Sequence, residues 1–180
     1  IVTCPGTDSC KLGITSSMGL NKALREMLAT VDLSDPLVRQ LHIKASGCPN
    51  SCGQHHIANI GFHGAAMKGE GGQVPAYELF LGGQYEGGDA RIGTRIKTRV
   101  PARRAPDALK AVLDYYKAER KEGELFNRFV ERVGATPFET LLSDVRDETV
   151  PLDEALIDLI LRALDVLSDH VSAARDGGDA

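Results

Sequence analysis

The four cysteines of this chain occur as two pairs, and each pair lies in a segment rich in glycine and other turn-forming residues. Cys4 and Cys10 have five residues between them in "TCPGTDSCKLG", and Cys48 and Cys52 have three between them in "GCPNSCGQHH". Because a turn lets the backbone bend around whatever its side chains bind, two such loops can converge on one centre. A fold that uses all four thiols together must bring these two distant loops into contact.

Several kinds of chemistry could use such cysteines. A disulfide framework belongs to small secreted proteins, but no basic and then apolar signal segment opens the sequence. Zinc knuckles usually have two residues within each cysteine pair, a spacing that is missing here. Free cysteines are also common in protein cores, although a core position gives no reason to lie in a turn. An iron-sulfur cluster suits the pattern better, because it is wider than one ion and accepts looser spacings.

Composition indicates a globular protein that functions in a reducing cytoplasm. The sequence is 42% hydrophobic and 26% charged, and it contains no apolar run long enough to cross a bilayer. A net charge of −4 argues against a general nucleic-acid or membrane-binding surface. The sequence begins at Ile1 with a cysteine motif close behind, and we expect it to be the C-terminal piece of a longer protein.

Hydrophobic periodicity predicts an α+β fold with a mixed β-sheet flanked by helices. We expect one domain over residues 1–135 and a helical extension over residues 136–180. The predicted strands lie in "IVTC", "LVRQLHIKAS", "HIANIGFHGAA", "PAYELFLGG" and "RIGTRIKTRV". The predicted helices lie in "SMGLNKALREMLAT", with Ser16 or Ser17 as N-cap, in "APDALKAVLDYYKAER", in "ELFNRFVERVG" and from about residue 151 to 174.

Residues 1 to about 134 resemble the sirohaem and [4Fe-4S] domain of assimilatory nitrite and sulfite reductases. The resemblance rests on "TCPGTDSCKLG", "SGCPNSCGQHHIANIGFHG", "ELFLGG" and "RIGTRI". It implies that Cys4, Cys10, Cys48 and Cys52 hold one [4Fe-4S] cluster, and that Cys52 also bridges to the sirohaem iron. It further implies that electrons pass from the cluster to sirohaem for the six-electron reduction of nitrite to ammonia or of sulfite to sulfide.

Other residues are candidates for contacts with the cofactors. Asn50 could donate to the cluster or the macrocycle, or could be an ordinary turn residue. Arg91, Arg95 and Lys97 could bind the sirohaem carboxylates, could attract an acidic electron donor, or could form a solvated strand face. The histidines at positions 42, 55, 56 and 63 are interpreted as structural rather than as metal ligands, and His170 as a surface residue.

The resemblance also implies partners outside this sequence. The substrate-binding arginines and lysines of the family come mostly from a preceding half of the enzyme, so we expect this chain alone to be inactive. Ferredoxin is the expected electron donor, with a flavoprotein as an alternative, and nitrite or sulfite the expected substrate. The alternative to an enzyme domain is a non-catalytic protein-interaction module stabilised by zinc or by an iron-sulfur cluster.

Overall fold

A five-stranded mixed sheet forms the centre of the fold in a computed structural model that describes residues 1–69, 71–87 and 90–147. The strands follow one another across the sheet in chain order. They are β1 (Val2–Thr3), β2 (Ile43–Ser46), β3 (Ile60–Gly69), β4 (Gly72–Leu81) and β5 (Thr94–Pro101). The first three run parallel to one another, and β4 and β5 continue the sheet in antiparallel fashion.

Five α-helices accompany the sheet in the described ranges. They are α1 (Ser17–Leu28), α2 (Pro36–Arg39), α3 (Ala105–Glu119), α4 (Phe126–Val133) and α5 (Thr136–Arg146). The helix α1 begins where the Ser16 hydroxyl accepts a hydrogen bond from the Gly19 amide at 2.9 Å, which satisfies a free amide of the first turn. The helix α3 has a proline in its first turn. Proline is accepted there because the backbone nitrogens of a first turn make no hydrogen bond within the helix.

The two faces of the sheet differ in character. Strand register aligns Ala45, Phe62, Leu79 and Ile96 in one row, and all four are fully buried. Because side chains alternate along a strand, the neighbouring row of Ser46, His63 and Glu78 points to the opposite face. The apolar row belongs to the core formed with helices α1, α3, α4 and α5. We call the opposite, polar side the outer face.

The cluster of aromatic rings between α3, α4 and α5 extends this core. Phe129 is fully buried, and its ring contacts Tyr115, Tyr116 and Phe138 at centroid distances of 5.4, 5.3 and 6.0 Å. Aromatic packing of this kind buries large apolar areas, so it fixes α5 to the rest of the core. The compact unit accordingly runs from Ile1 to Asp147, and the predicted boundary at residue 135 lies inside it, between α4 and α5.

The predicted fold class, a mixed sheet flanked by helices, is confirmed. The predicted strand over residues 37–46 is wrong in its first half, where the chain forms α2. Asp35 begins this short helix by accepting a hydrogen bond from the Leu37 amide at 3.0 Å. The long helix predicted from about residue 151 to 174, with His170, lies outside the described residues. Within the described ranges no helix has the length and hydrophobicity to cross a membrane.

Candidate metal centre

The first cysteine loop, residues 4–13, follows directly from β1. The Cys4 amide still bonds to the Ala45 carbonyl at 3.1 Å, which continues the pairing of β1 with β2. The chain then turns at Gly6, whose φ of +59° lies in the left-handed region that glycine enters without strain. The Cys10 amide donates to the Gly6 carbonyl at 2.9 Å, so the turn folds Cys10 back beside the start of the loop.

The second cysteine loop, residues 47–54, follows from β2 in the same way. Cys48 is buried and Cys52 is exposed, so the two thiols of this pair differ in their access to solvent. Ser51 and Gln54 have φ values of 60° and 61°, a conformation that residues other than glycine seldom adopt. The predicted turn residue Asn50 lies between the two cysteines and is exposed.

The two cysteine loops are in direct contact. The Gly47 amide donates a hydrogen bond to Cys4 Sγ at 3.2 Å, and the Gly47 carbonyl accepts from the amides of Ile14 and Thr15 at 2.7 and 3.0 Å. A Cβ atom on Gly47 would lie 2.6 Å from Gly6 Cα, which leaves no room for a side chain. The loops meet because β1 and β2 are parallel neighbours, whose carboxyl ends lie at the same edge of the sheet.

Cys4 lies in an environment that favours its thiolate. Burial raises the pKa of the Cys4 thiol, but hydrogen bonds from the Ser17 hydroxyl and from the Gly47 and Gly6 amides outweigh it, and the pKa is lowered. The Ser17 oxygen lies 3.4 Å from Cys4 Sγ. Since the thiolate is the form that binds metals, this part of the site suits a metal ligand.

All four cysteines are free thiols, so the structure does not form the disulfides that the sequence left open. No three histidine, cysteine, aspartate or glutamate side chains of the described ranges are grouped so that they could hold one metal ion. A [4Fe-4S] cluster is wider than one ion and takes one thiolate at each iron. The donor set of four thiols on two abutting, glycine-containing loops fits such a cluster.

The predicted basic residues lie on or near β5, and two of them have partners within the chain. The Nε and Nη2 atoms of Arg95 lie 2.7 and 2.6 Å from Glu78 Oε2. Arg91 pairs with Glu131 at 3.4 Å, and Lys97 is exposed on the same strand as Arg95. The contacts of Arg95 with Glu78 place it on the outer face, where it lies opposite Phe80 of β4.

Sequence reasoning missed Glu78, the charged centre of the outer face. Its side chain is only 2% exposed and contacts Arg95, Arg99 at 2.8 Å, and His63 at 3.3 Å. Burial raises the pKa of the Glu78 carboxyl, but hydrogen bonds from the two arginines outweigh burial, so the pKa is lowered and the carboxylate is charged. A single acidic residue within the apolar run "AYELFL" was the available signal.

Comparison with known proteins identifies the kind of domain to which this fold and its two cysteine loops belong. Residues 1–149 match the family described as the nitrite and sulphite reductase 4Fe-4S domain, and this chain belongs to that family. An assimilatory ferredoxin-dependent nitrite reductase of Haloferax mediterranei is 34% identical over 134 residues, which are 74% of this chain and 22% of that protein. A ferredoxin sulfite reductase of Mycobacterium tuberculosis is 31% identical over 136 residues, 73% of this chain and 24% of that protein.

The fold agrees with a solved structure of the same kind. The Mycobacterium tuberculosis NirA protein matches with a TM-score of 0.64 and 30% identity, over 76% of this chain and 26% of that one. The relatives include both nitrite and sulfite reductases, which are oxidoreductases. The chain spans between a fifth and a quarter or so of the length of these relatives.

Proposed function

We propose that this chain is the metallocentre domain of a nitrite or sulfite reductase. Cys4, Cys10, Cys48 and Cys52 hold a [4Fe-4S] cluster, and Cys52 also ligates the iron of sirohaem. The observation that carries the proposal is the hydrogen bond from the Gly47 amide to Cys4 Sγ, because it joins the two cysteine loops at the edge of the sheet. The exposure of Cys52 supports its role as the shared thiolate, since it can reach a group outside the loops.

The protein groups around the site bind and orient the cofactors. When bound, the cluster and sirohaem would pass single electrons from the electron donor to the substrate, which is nitrite or sulfite in a six-electron reduction. The amide and hydroxyl groups around Cys4 stabilise its thiolate. Arg95, Arg91 and Lys97 bind the carboxylates of the macrocycle, and Glu78 holds the guanidinium of Arg95 in a fixed orientation. Asn50 donates a hydrogen bond to the cluster or the macrocycle, a role that its exposed position between the two cysteines supports.

The rest of the catalytic machinery comes from other parts of a longer enzyme in the cytoplasm. Because this chain spans only a minor part of its relatives, we infer that a further half of the enzyme supplies the arginine and lysine side chains of the substrate pocket. The electron donor is ferredoxin, which appears in the names of the Haloferax mediterranei nitrite reductase and the Mycobacterium tuberculosis sulfite reductase. The isolated chain is then inactive towards nitrite and sulfite.

Anaerobic reconstitution of the chain with iron and sulfide tests the cluster. We expect about four irons per chain, the content of one [4Fe-4S] cluster, and a broad visible absorption band. Replacing any of the four cysteines by serine should abolish or strongly reduce this uptake. Ser9→Ala, which changes an exposed residue of the first cysteine loop, is the matched control and should load fully.

Binding of zinc by all four cysteines, without uptake of iron and sulfide, would contradict the proposal and favour the protein-interaction module.

The sirohaem contact is tested in the complete enzyme. There, Cys52→Ser should change the haem-like absorption bands, because the ligand of the sirohaem iron is replaced. Unchanged bands would remove Cys52 from the shared position.

A further inference from the structure

Three histidines pack together behind the second cysteine loop, and the proposed function does not use them. His55 is fully buried and His63 is 6% exposed. The His55 ring lies 4.1 Å from the ring of His56 and 5.1 Å from that of His63, between centroids, and Phe80 packs against all three. This histidine group lies on the outer face, where the segment after the second cysteine loop crosses from β2 to β3.

The crossing segment is held tightly against the sheet. A Cβ atom on Gly61 of β3 would lie 1.9 Å from the His55 carbonyl oxygen, so the backbone of His55 rests directly on the strand. A Cβ atom on Gly53 would lie 2.0 Å from the Ala45 carbonyl oxygen of β2. The two glycines let the end of the second cysteine loop and the histidine group approach the outer face as closely as backbone atoms allow.

His55 is linked to the second cysteine loop through Ser46. The Ser46 hydroxyl accepts a hydrogen bond from the Gly53 amide at 3.0 Å, and His55 Nδ1 lies 2.9 Å from the same oxygen. Gly53 directly follows Cys52. The two partners of the Ser46 hydroxyl together fix the rotamer of this buried serine. Loss of either partner should therefore weaken the contact with the other.

His56 and Lys44 form two further links to the same loop. His56 Nδ1 lies 2.9 Å from the Ser51 hydroxyl, and Lys44 Nζ donates to the Gln54 side-chain oxygen at 2.7 Å. Both loop residues, Ser51 and Gln54, are the ones with positive φ. A residue other than glycine is strained in this conformation, and the conformation persists only when surrounding contacts determine it.

We propose that His55 and His56 are positioning residues, which hold the second cysteine loop in its cluster-binding conformation before any cluster arrives. The inference rests on the proposed function for its purpose, but the contacts are made by the protein alone. His55 acts through Ser46 on the peptide that follows Cys52, and His56 acts on Ser51, which precedes it. Neither histidine binds metal.

Two substitutions of His55 separate the proposed contact from a general effect of a smaller side chain. In His55→Asn the amide group stands near the place of Nδ1 and keeps the contact with Ser46. In His55→Gln the amide reaches the place of Nε2 instead, and the contact is lost. The half-buried His42, which pairs with Glu86 at 3.7 Å, offers His42→Gln as the matched control.

The first measurement is hydrogen exchange of the Gly53 amide in the cluster-free chain. We expect exchange to accelerate about tenfold or more in His55→Gln and to stay near the wild-type rate in His55→Asn and in His42→Gln. The second measurement is the rate of cluster loading and the retention of the cluster under anaerobic conditions. Both should fall in His55→Gln and stay near the wild-type values in His55→Asn and in His42→Gln. Ser51→Ala, a small change in the loop itself, should slow loading by removing the His56 contact.

Equal exchange of the Gly53 amide in the wild type and in His55→Gln would overturn the inference. Slower cluster loading by His55→Gln without faster exchange of the Gly53 amide would also overturn it. Equal impairment by His55→Asn and His55→Gln would also overturn it, because the Ser46 contact would then be irrelevant. If the wild-type chain takes up no cluster, the proposed function fails. The exchange measurement still decides whether the histidines hold the loop.

Discussion

The buried ring of His55 should make this protein sensitive to mild acid. Burial is the main cause that lowers the pKa of His55 from 6.5 to about 3, and the neighbouring His56 and His63 act in the same direction. In the unfolded chain the same imidazole has its ordinary pKa and takes up a proton as the pH falls below it. The folded state keeps His55 neutral and therefore loses stability relative to the unfolded state.

The magnitude follows from proton linkage between the two states. Because the folded pKa is depressed, the contribution is constant above about pH 6.5 and is lost progressively as the pH falls towards 3. With the pKa of His55 at about 3 in the folded state, the free energy of unfolding should fall by about 2 kcal/mol between pH 7 and pH 5. Allowing for solvent screening at the edge of the histidine group, we expect about 1–2 kcal/mol.

Urea unfolding of the wild type and of His55→Gln at pH 7 and pH 5 measures this effect. Glutamine does not titrate, so the variant should lose about 1–2 kcal/mol less than the wild type over the same interval. His42→Gln, at a half-buried position on the edge of the fold, is the control for the loss of an imidazole as such. The same loss of stability in the wild type and in His55→Gln would refute the reasoning.

Two further substitutions test the contact between the cysteine loops and the charged centre of the outer face. Gly47→Ala should cost more than about 2 kcal/mol and prevent cluster loading, because its Cβ would overlap the first cysteine loop, whereas Gly19→Ala on α1 should be tolerated. Normal loading by Gly47→Ala would show that the loops need not touch. Glu78→Gln should lower the free energy of unfolding by about 2–3 kcal/mol at pH 7, because Arg95 and Arg99 lose their carboxylate. Since the Glu78 pKa is lowered in the fold, this difference should shrink as the pH falls below about 4.5, and urea unfolding across that range checks it.

The elements with strong local signals were predictable from the sequence. The helix α1 has its apolar residues at helical spacing and a serine that caps it, and α3 has proline and aspartate in its first turn. The alternation and turn residues around β3, β4 and β5 placed those strands within a few residues. Such signals are short-range, and they act before any tertiary contact is made.

The segment before β2 shows where short-range signals compete. Residues 37–46 contain β-branched and apolar residues that favour a strand, but Asp35 and Pro36 are also the start signal of a helix. The Asp35 carboxylate binds the Leu37 amide and an arginine, Arg120, at 2.6 Å. Because Arg120 lies in a distant part of the sequence, the sequence of the segment alone does not decide between a strand and a helix.

The spacing within each cysteine pair predicted two loops, but their contact depends on strand pairing. The strand β1 has only two residues, Val2 and Thr3, so the sheet contributes few of the bonds that place the first cysteine loop. Further bonds come from the residues that directly follow the loop, where the amides of Ile14 and Thr15 donate to the Gly47 carbonyl. A short strand with a long loop is stable only if the loop packs against something rigid. Here the rigid element is the second cysteine loop, which is itself fixed to β2 through Ser46. The two cysteine loops therefore form one structural unit, and a change in either should affect the thiols of both.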